Sequence, residues 1–102
     1  MKSITVTELQ EKINSAEDFQ LIDVREPYEY EEFNLSGHLI PLNDIVRQID
    51  SIATDKPVII YCRKGIRSQI AIQRLQEKYP FTNLINLIGG TEAWRNEFGI
   101  KC

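Results

Sequence analysis

The stretch Val58-Ile59-Ile60-Tyr61-Cys62-Arg63-Lys64-Gly65-Ile66-Arg67-Ser68 constrains the fold more than any other part of the chain. Four large apolar residues follow Pro57 and read as a buried strand. A helical pattern begins just past Ser68, so the residues from Cys62 to Arg67 must turn the chain between the two. A strand that feeds a helix through a short, glycine-containing loop aims its backbone N–H groups into the loop, beside the positive end of the helix dipole. Such a concavity binds anions. Cys62 stands at the strand's end, and a sulfur anion held in that field is a usable nucleophile.

The rest of the composition narrows what this loop can serve. A chain of 102 residues is expected to form one domain, spanning 1–102, with room for a real core. Its 42% apolar and 26% charged residues are ordinary for a globular protein in water. The net charge of −3 argues against nucleic acid or an anionic membrane as a partner. Arg63, Lys64 and Arg67 nevertheless cluster beside Cys62, and one basic spot on an acidic body suits a small anionic substrate. Two cysteines make no disulfide framework of the secreted type. The N-terminus lacks the apolar core of a signal peptide, and no run approaches transmembrane length, so a reducing cytoplasm is the expected location. One histidine and two distant cysteines make no metal set, and no nucleotide-binding glycine motif is present; no cofactor is expected.

Elements alternate along the chain. Residues 3–6 read as a first strand, and Thr7-Glu8-Leu9-Gln10 has the spacing of a capping box. Residues 19–25 form a second strand, apolar at its centre and charged at its end; Pro27 can open a helix. Ser36-Gly37-His38 is a turn, and residues 39–42 an extended piece. Asn43 is a good N-cap for a helix with Ile45, Ile49 and Ile52 on one stripe. The helix beyond Ser68 should turn Ile70, Ala71, Ile72, Leu75 and Tyr79 inward and stop at Pro80. Residues 84–88 are a last strand, closed by Gly89-Gly90, and Thr91 can cap a final helix with Trp94 buried and Gly99 at its end. Strands alternating with helices at this spacing predict an α/β fold, three layers with a mostly parallel sheet of about five strands and helices on both faces. Sites in such sheets lie outside the carboxyl ends of the strands, where Asp23, Arg25 and Cys62 all fall.

Leu21-Ile22-Asp23-Val24-Arg25-Glu26, Glu29-Tyr30 leading to Gly37-His38, residues 61–68, and Leu87-Ile88-Gly89-Gly90 followed by Trp94 occur in that order over nearly the whole chain. As an ordered set they resemble a single-domain rhodanese. The resemblance implies a loop cysteine, Cys62, that carries sulfur as a persulfide. One departure is visible: Gly37-His38 runs through Leu39-Ile40 directly into Pro41-Leu42, several residues shorter than the family's usual segment, in a region that the resemblance places beside the active site.

On this reading a thiolate attacks the outer sulfur of an anionic donor such as thiosulfate, and cyanide or an acceptor thiol, a protein thiol included, then removes it. Cys62 is the expected catalytic residue, with Arg63, Lys64, Gly65, Ile66, Arg67 and Ser68 as the donor-binding loop. Loop amides stabilise each anion, the cations draw in the donor, and Gly65 supplies a backbone angle barred to other residues. The Ser68 hydroxyl caps the following helix or bonds to the sulfur, capping being the favoured role. Cysteine phosphatases and arsenate reductases are the rival enzymes, but phosphatases carry five residues between cysteine and arginine, and this chain has four. A tighter ring suits one bound sulfur better than a tetrahedral oxyanion. A sulfur-relay module is the other alternative. Asp23 and Arg25 read as a structural pair, His38 as structural or surface, and Tyr28, Tyr30, Phe33 and Trp94 as packing. Cys102 reads as a terminal thiol, with a resolving role as the alternative. A monomer is expected.

Overall fold

The computed structural model describes residues 1–99. Five strands, β1 (Lys2–Ile4), β2 (Gln20–Asp23), β3 (His38–Leu39), β4 (Val58–Tyr61) and β5 (Leu84–Leu87), form one sheet in the order β1-β5-β4-β2-β3. Every pairing is parallel. The helices are α1 (Val6–Asn14), α2 (Pro27–Glu32), α3 (Ile66–Lys78) and α4 (Gly90–Phe98). The expected α/β architecture is present.

The central place of β4 follows from its composition. A parallel strand covered on both faces must be apolar throughout, and all four of its residues are buried. Side chains alternate across it. Val58 and Ile60 join Ala71, Ile72 and Leu75 of α3 in one core; Ile59 and Tyr61 join Leu9 of α1 and Trp94 and Phe98 of α4 in the other. Tyr61 fills the space beside Gly37, where a Cβ would come within 2.8 Å of its ring. The Asp23 and Arg25 side chains, both buried, close on each other at the end of β2, and Arg25 also donates to Phe33 O. That pair is structural, tying β2 to the end of α2.

Several elements depart from the sequence reading. The first capping box is Thr5 with Glu8, two residues earlier than expected, which lets α1 turn both Val6 and Leu9 inward. Residues 42–52 do not form an α-helix: Leu42–Asp44 and Ile49–Ser51 are two 3-10 turns. Ile45 and Ile52 are buried as the stripe implied, but β-branched residues mixed with Asn43, Asp44, Asp50 and Ser51 are poor helix formers. Helix α3 starts at Ile66, not past Ser68, and Tyr79 is half exposed at its end, edge-on to Phe81. Ile70 and Trp94 are only partly buried, and Tyr28 is exposed where packing was expected. Gly89, in the left-handed region, takes the N-cap place expected of Thr91. The extended piece after His38 is real but short: Ile40 N donates to Asp23 O at 2.8 Å and Leu42 N to Val24 O at 3.0 Å, running along β2. His38 is exposed on this edge strand. Cys102 lies outside the described residues.

One junction positions the loop after β4. The first amides of α4 point at its carbonyls, Thr91 N to Cys62 O and Glu92 N to Arg63 O, both at 2.9 Å. This approach is close enough that a Cβ on Gly90 would lie 2.2 Å from Cys62 O, and Gly90 has a φ of +56°. A Gly90→Ala substitution is therefore expected to lower the unfolding free energy by about 2–4 kcal/mol, combining left-handed strain with overpacking. A fall in the urea midpoint without a change in slope checks this.

Candidate active site

The site begins where β4 ends. With the carbonyls of Cys62 and Arg63 drawn toward α4, the N–H groups further along face the other way. Gly65 N donates to Cys62 Sγ at 3.0 Å and Ser68 N donates to it at 3.4 Å. Gly65 is the N-cap of α3 and has a φ of +97°, a left-handed conformation that brings its amide over the sulfur. Ser68 is the third residue of α3, so its amide is one of the helix's unpaired N-terminal donors. A helix usually satisfies that donor with its own N-cap side chain. Gly65 has none, and the sulfur takes its place.

The Ser68 hydroxyl does not cap. It lies 3.5 Å from Cys62 Sγ and donates to Oδ1 of Asn86, a buried residue of β5. The side chain cannot reach back across an N-terminus it sits inside, so the sulfur contact, expected as the lesser role, is the one realised. Cys62 is only 1% exposed, and its opening to solvent is a shallow cavity of about 150 Å³ lined by Cys62, Arg63, Lys64, Ile66 and Arg67. All seven residues singled out from the sequence thus belong to one turn around one sulfur.

Its cations are not equivalent. Arg67 spends both terminal nitrogens on Glu29 of α2, at 2.8 and 2.9 Å, a bidentate pair. Glu29 also accepts the backbone N–H of Glu26. The Arg67 hydrogen bonds, with help from that amide and against the effect of burial, pull the Glu29 carboxyl down to about 2. The same bonds raise the Arg67 guanidinium above its ordinary value, and the charge of Cys62 acts in that direction too. Arg63 is 65% exposed and reaches Glu92 only at 3.8 Å. Lys64 is exposed. Arg63 and Lys64 are therefore the cations left to meet an incoming anion. Beneath the site, burial pushes the Tyr61 hydroxyl well up, so it stays neutral and accepts Leu35 N at 3.2 Å.

Three contributors escaped the sequence reading. Glu29 is 38 positions from Arg67, and nothing local joins them. Gly90 was read as a strand closure rather than as the contact that frees the loop amides. Asn86 had a visible signal, a polar residue in the otherwise apolar run Leu84-Ile85-Asn86-Leu87-Ile88.

A family model described as the rhodanese-like domain matches residues 5–97. The chain belongs to the rhodanese-like family. Among curated relatives it is 39% identical over 102 residues to the uncharacterized protein YqhL of Bacillus subtilis, covering 99% of this chain and 78% of that one. It is 35% identical over 98 residues to the putative sulfurtransferase YtwF of the same organism, covering 95% and 93%. Other relatives are longer: the chain spans 49% of the putative sulfur carrier protein YrkF, also from Bacillus subtilis, at 30% identity over 92 residues, covering 89% of this chain. The crystal structure of SSP1007 from Staphylococcus saprophyticus superposes with a TM-score of 0.83 at 33% identity, covering 96% and 97%. Family and relatives together support a sulfurtransferase or sulfur-relay role.

The ion pair at the loop's edge has a testable pH signature. The Glu29 carboxyl titrates below its unfolded value of about 4.5, so the pair's contribution is present in full above that pH and is lost as pH falls toward about 2. Because Arg67 is one-third exposed, screening limits this to about 1 kcal/mol. Glu29→Gln should lose that amount at pH 7 in urea denaturation, and its difference from the parent protein should vanish near pH 2–3.

Proposed function

We propose that the protein moves sulfane sulfur through a persulfide on Cys62. The observation that carries this reading is the pair of amides, Gly65 N and Ser68 N, donating to one sulfur at a strand–helix turn. Each state of the reaction is anionic at that point, and donors fixed in advance stabilise all of them without rearrangement. The Cys62 thiolate attacks the outer sulfur of thiosulfate; the new Sγ–S bond forms as the old S–S bond breaks, and sulfite leaves with the bonding pair. Cyanide or an acceptor thiolate then attacks the outer sulfur, and Cys62 departs as thiolate. Arg63 and Lys64, standing on the rim, draw in the donor and meet the departing charge. Gly65 and Ser68 hold the sulfur, while Ile66 and Arg67 shape the opening.

A relay reading shares the same intermediate and differs in its partners. Ile66 is 64% exposed at the rim, and an inorganic anion has no use for that apolar surface. The sulfur carrier among the relatives supports the same direction. A protein persulfide as donor, or a protein thiol as acceptor, is the partner this reading requires. Phosphatase or arsenate reductase chemistry fits less well, because the four-residue interval from Cys62 to Arg67 makes a ring for a single sulfur and Arg67 is engaged by Glu29. We place the reaction in the cytoplasm, where reducing conditions keep the thiol available. We also read the chain as one domain and a monomer.

Incubation with thiosulfate is expected to add one sulfur to the intact protein, removable by reductant, and Cys62→Ser to abolish it. Mass spectrometry reads the loading, and thiocyanate formation reads the turnover. Thiocyanate formed by Cys62→Ser would overturn the mechanism. Loading from a protein persulfide with no thiosulfate turnover would select the relay.

A further inference from the structure

Asn86 is out of character for its place. It sits in β5 between Ile85 and Leu87, 4% exposed, where a primary amide is costly to bury without partners. Its Oδ1 accepts the hydroxyl of Ser68, itself fully buried and 3.5 Å from Cys62 Sγ. A serine hydroxyl has one proton and two lone pairs. While that proton goes to Asn86 Oδ1, only lone pairs face the sulfur, an arrangement suited to the thiol, whose S–H can donate to Ser68 Oγ. A thiolate needs the opposite: the hydroxyl proton pointing at Sγ.

We propose that Asn86 is a positioning residue whose side-chain amide turns to let the Ser68 hydroxyl follow the charge on Cys62. When the thiol proton leaves through the opening, Asn86 rotates by half a turn, Nδ2–H donates to Ser68 Oγ, and Ser68 O–H donates to Sγ⁻. An amide is the uncharged group that offers an acceptor and a donor from the same place. Space for the turn exists on the far side, where Asn86 lines a cavity of about 330 Å³ with Ser3, Gly65 and Gln69. Without Asn86, the Ser68 hydroxyl loses the amide N–H that fixes its oxygen and polarises its proton, and its bond to the sulfur anion weakens. The charged groups facing Cys62 are otherwise accounted for. Arg67 of α3 is held by Glu29 of α2, Arg63 of the loop lies near Glu92 of α4, Lys64 is exposed, and the buried pair at the end of β2 is closed on itself.

The inference rests on Cys62 being the sulfur-carrying thiol, and its test reads thiol ionisation rather than sulfur transfer. The pH profile of Cys62 alkylation by iodoacetamide, followed by peptide mass spectrometry, is compared in the parent protein, Ser68→Ala, Asn86→Leu, Asn86→Ala and the Ser68→Ala/Asn86→Leu double variant. Asn86→Leu is expected to slow alkylation at pH 7 about fivefold, the size of one hydrogen bond, and to move the profile to higher pH. Ser68→Ala should do the same, and the double variant should be no slower than either. Asn86→Ala serves if leucine fails to fold. An unmoved profile in the Asn86 variants, or effects that multiply in the double variant, would overturn the proposal. Failure of the parent protein to accept sulfur would instead count against the transfer reading and leave the alkylation result standing.

Discussion

The orientation of the peptide groups after β4 is what the rest of the structure depends on. The carbonyls of Cys62 and Arg63 are taken up by the first amides of α4, and the amides of Gly65 and Ser68 are thereby left to converge on sulfur. Neither half stands alone. Were the carbonyls turned inward, the sulfur would face negative rather than positive dipole ends, and no cation on the rim would compensate at that distance. Four glycines serve this geometry from both sides. Gly65 turns the loop and Gly90 lets α4 approach it, while Gly89 starts α4 and Gly37 makes room for the tyrosine below.

The electrostatics are built in two layers. Deep in the fold, Asp23 and Arg25 neutralise one another beneath the sheet's carboxyl edge, and among the described residues no buried side-chain nitrogen or oxygen lacks a partner. At the loop, Arg67 is neutralised by Glu29, so that the net positive field over the sulfur comes from fixed backbone dipoles plus the two exposed cationic side chains on the rim. Fixed dipoles need no reorganisation when charge moves from one sulfur to the next. On the persulfide route proposed for Cys62, that suits an occupant that changes size more than it changes charge.

Much of this was readable from the residues. Four apolar residues ending in a cysteine, then a short basic loop with a glycine, specify the strand, the turn and the aim of the amides, because each is a local consequence of backbone geometry. Helix α4 was legible for the same reason, and the family resemblance from the order of its motifs along the chain. What escaped was decided by competition between signals or by distant pairs. Residues 42–52 carry isoleucines at helical spacing, but their β-branched and Asx content favours tight turns. The spacing of Thr7 and Gln10 suggested a capping box, but Thr5 and Glu8 form it, and α1 then begins with Val6 buried. Arg67 looked free because its partner lies in another element, and Ser68 looked like a cap because the helix was taken to start after it.

The strand order carries a consequence for how the chain acquires its shape. β1 has, among the described residues, its one strand neighbour in β5, with Lys2 beside Ile85 and Ile4 beside Leu87, and the loop after β4 has its carbonyl partners still later in the chain, on α4. During synthesis the first strand therefore cannot pair with β5 until the chain has been made through Leu87. The turn around Cys62 lacks its α4 partners until Thr91 and Glu92 have also been added, so a shorter nascent chain carries this cysteine without its finished pocket.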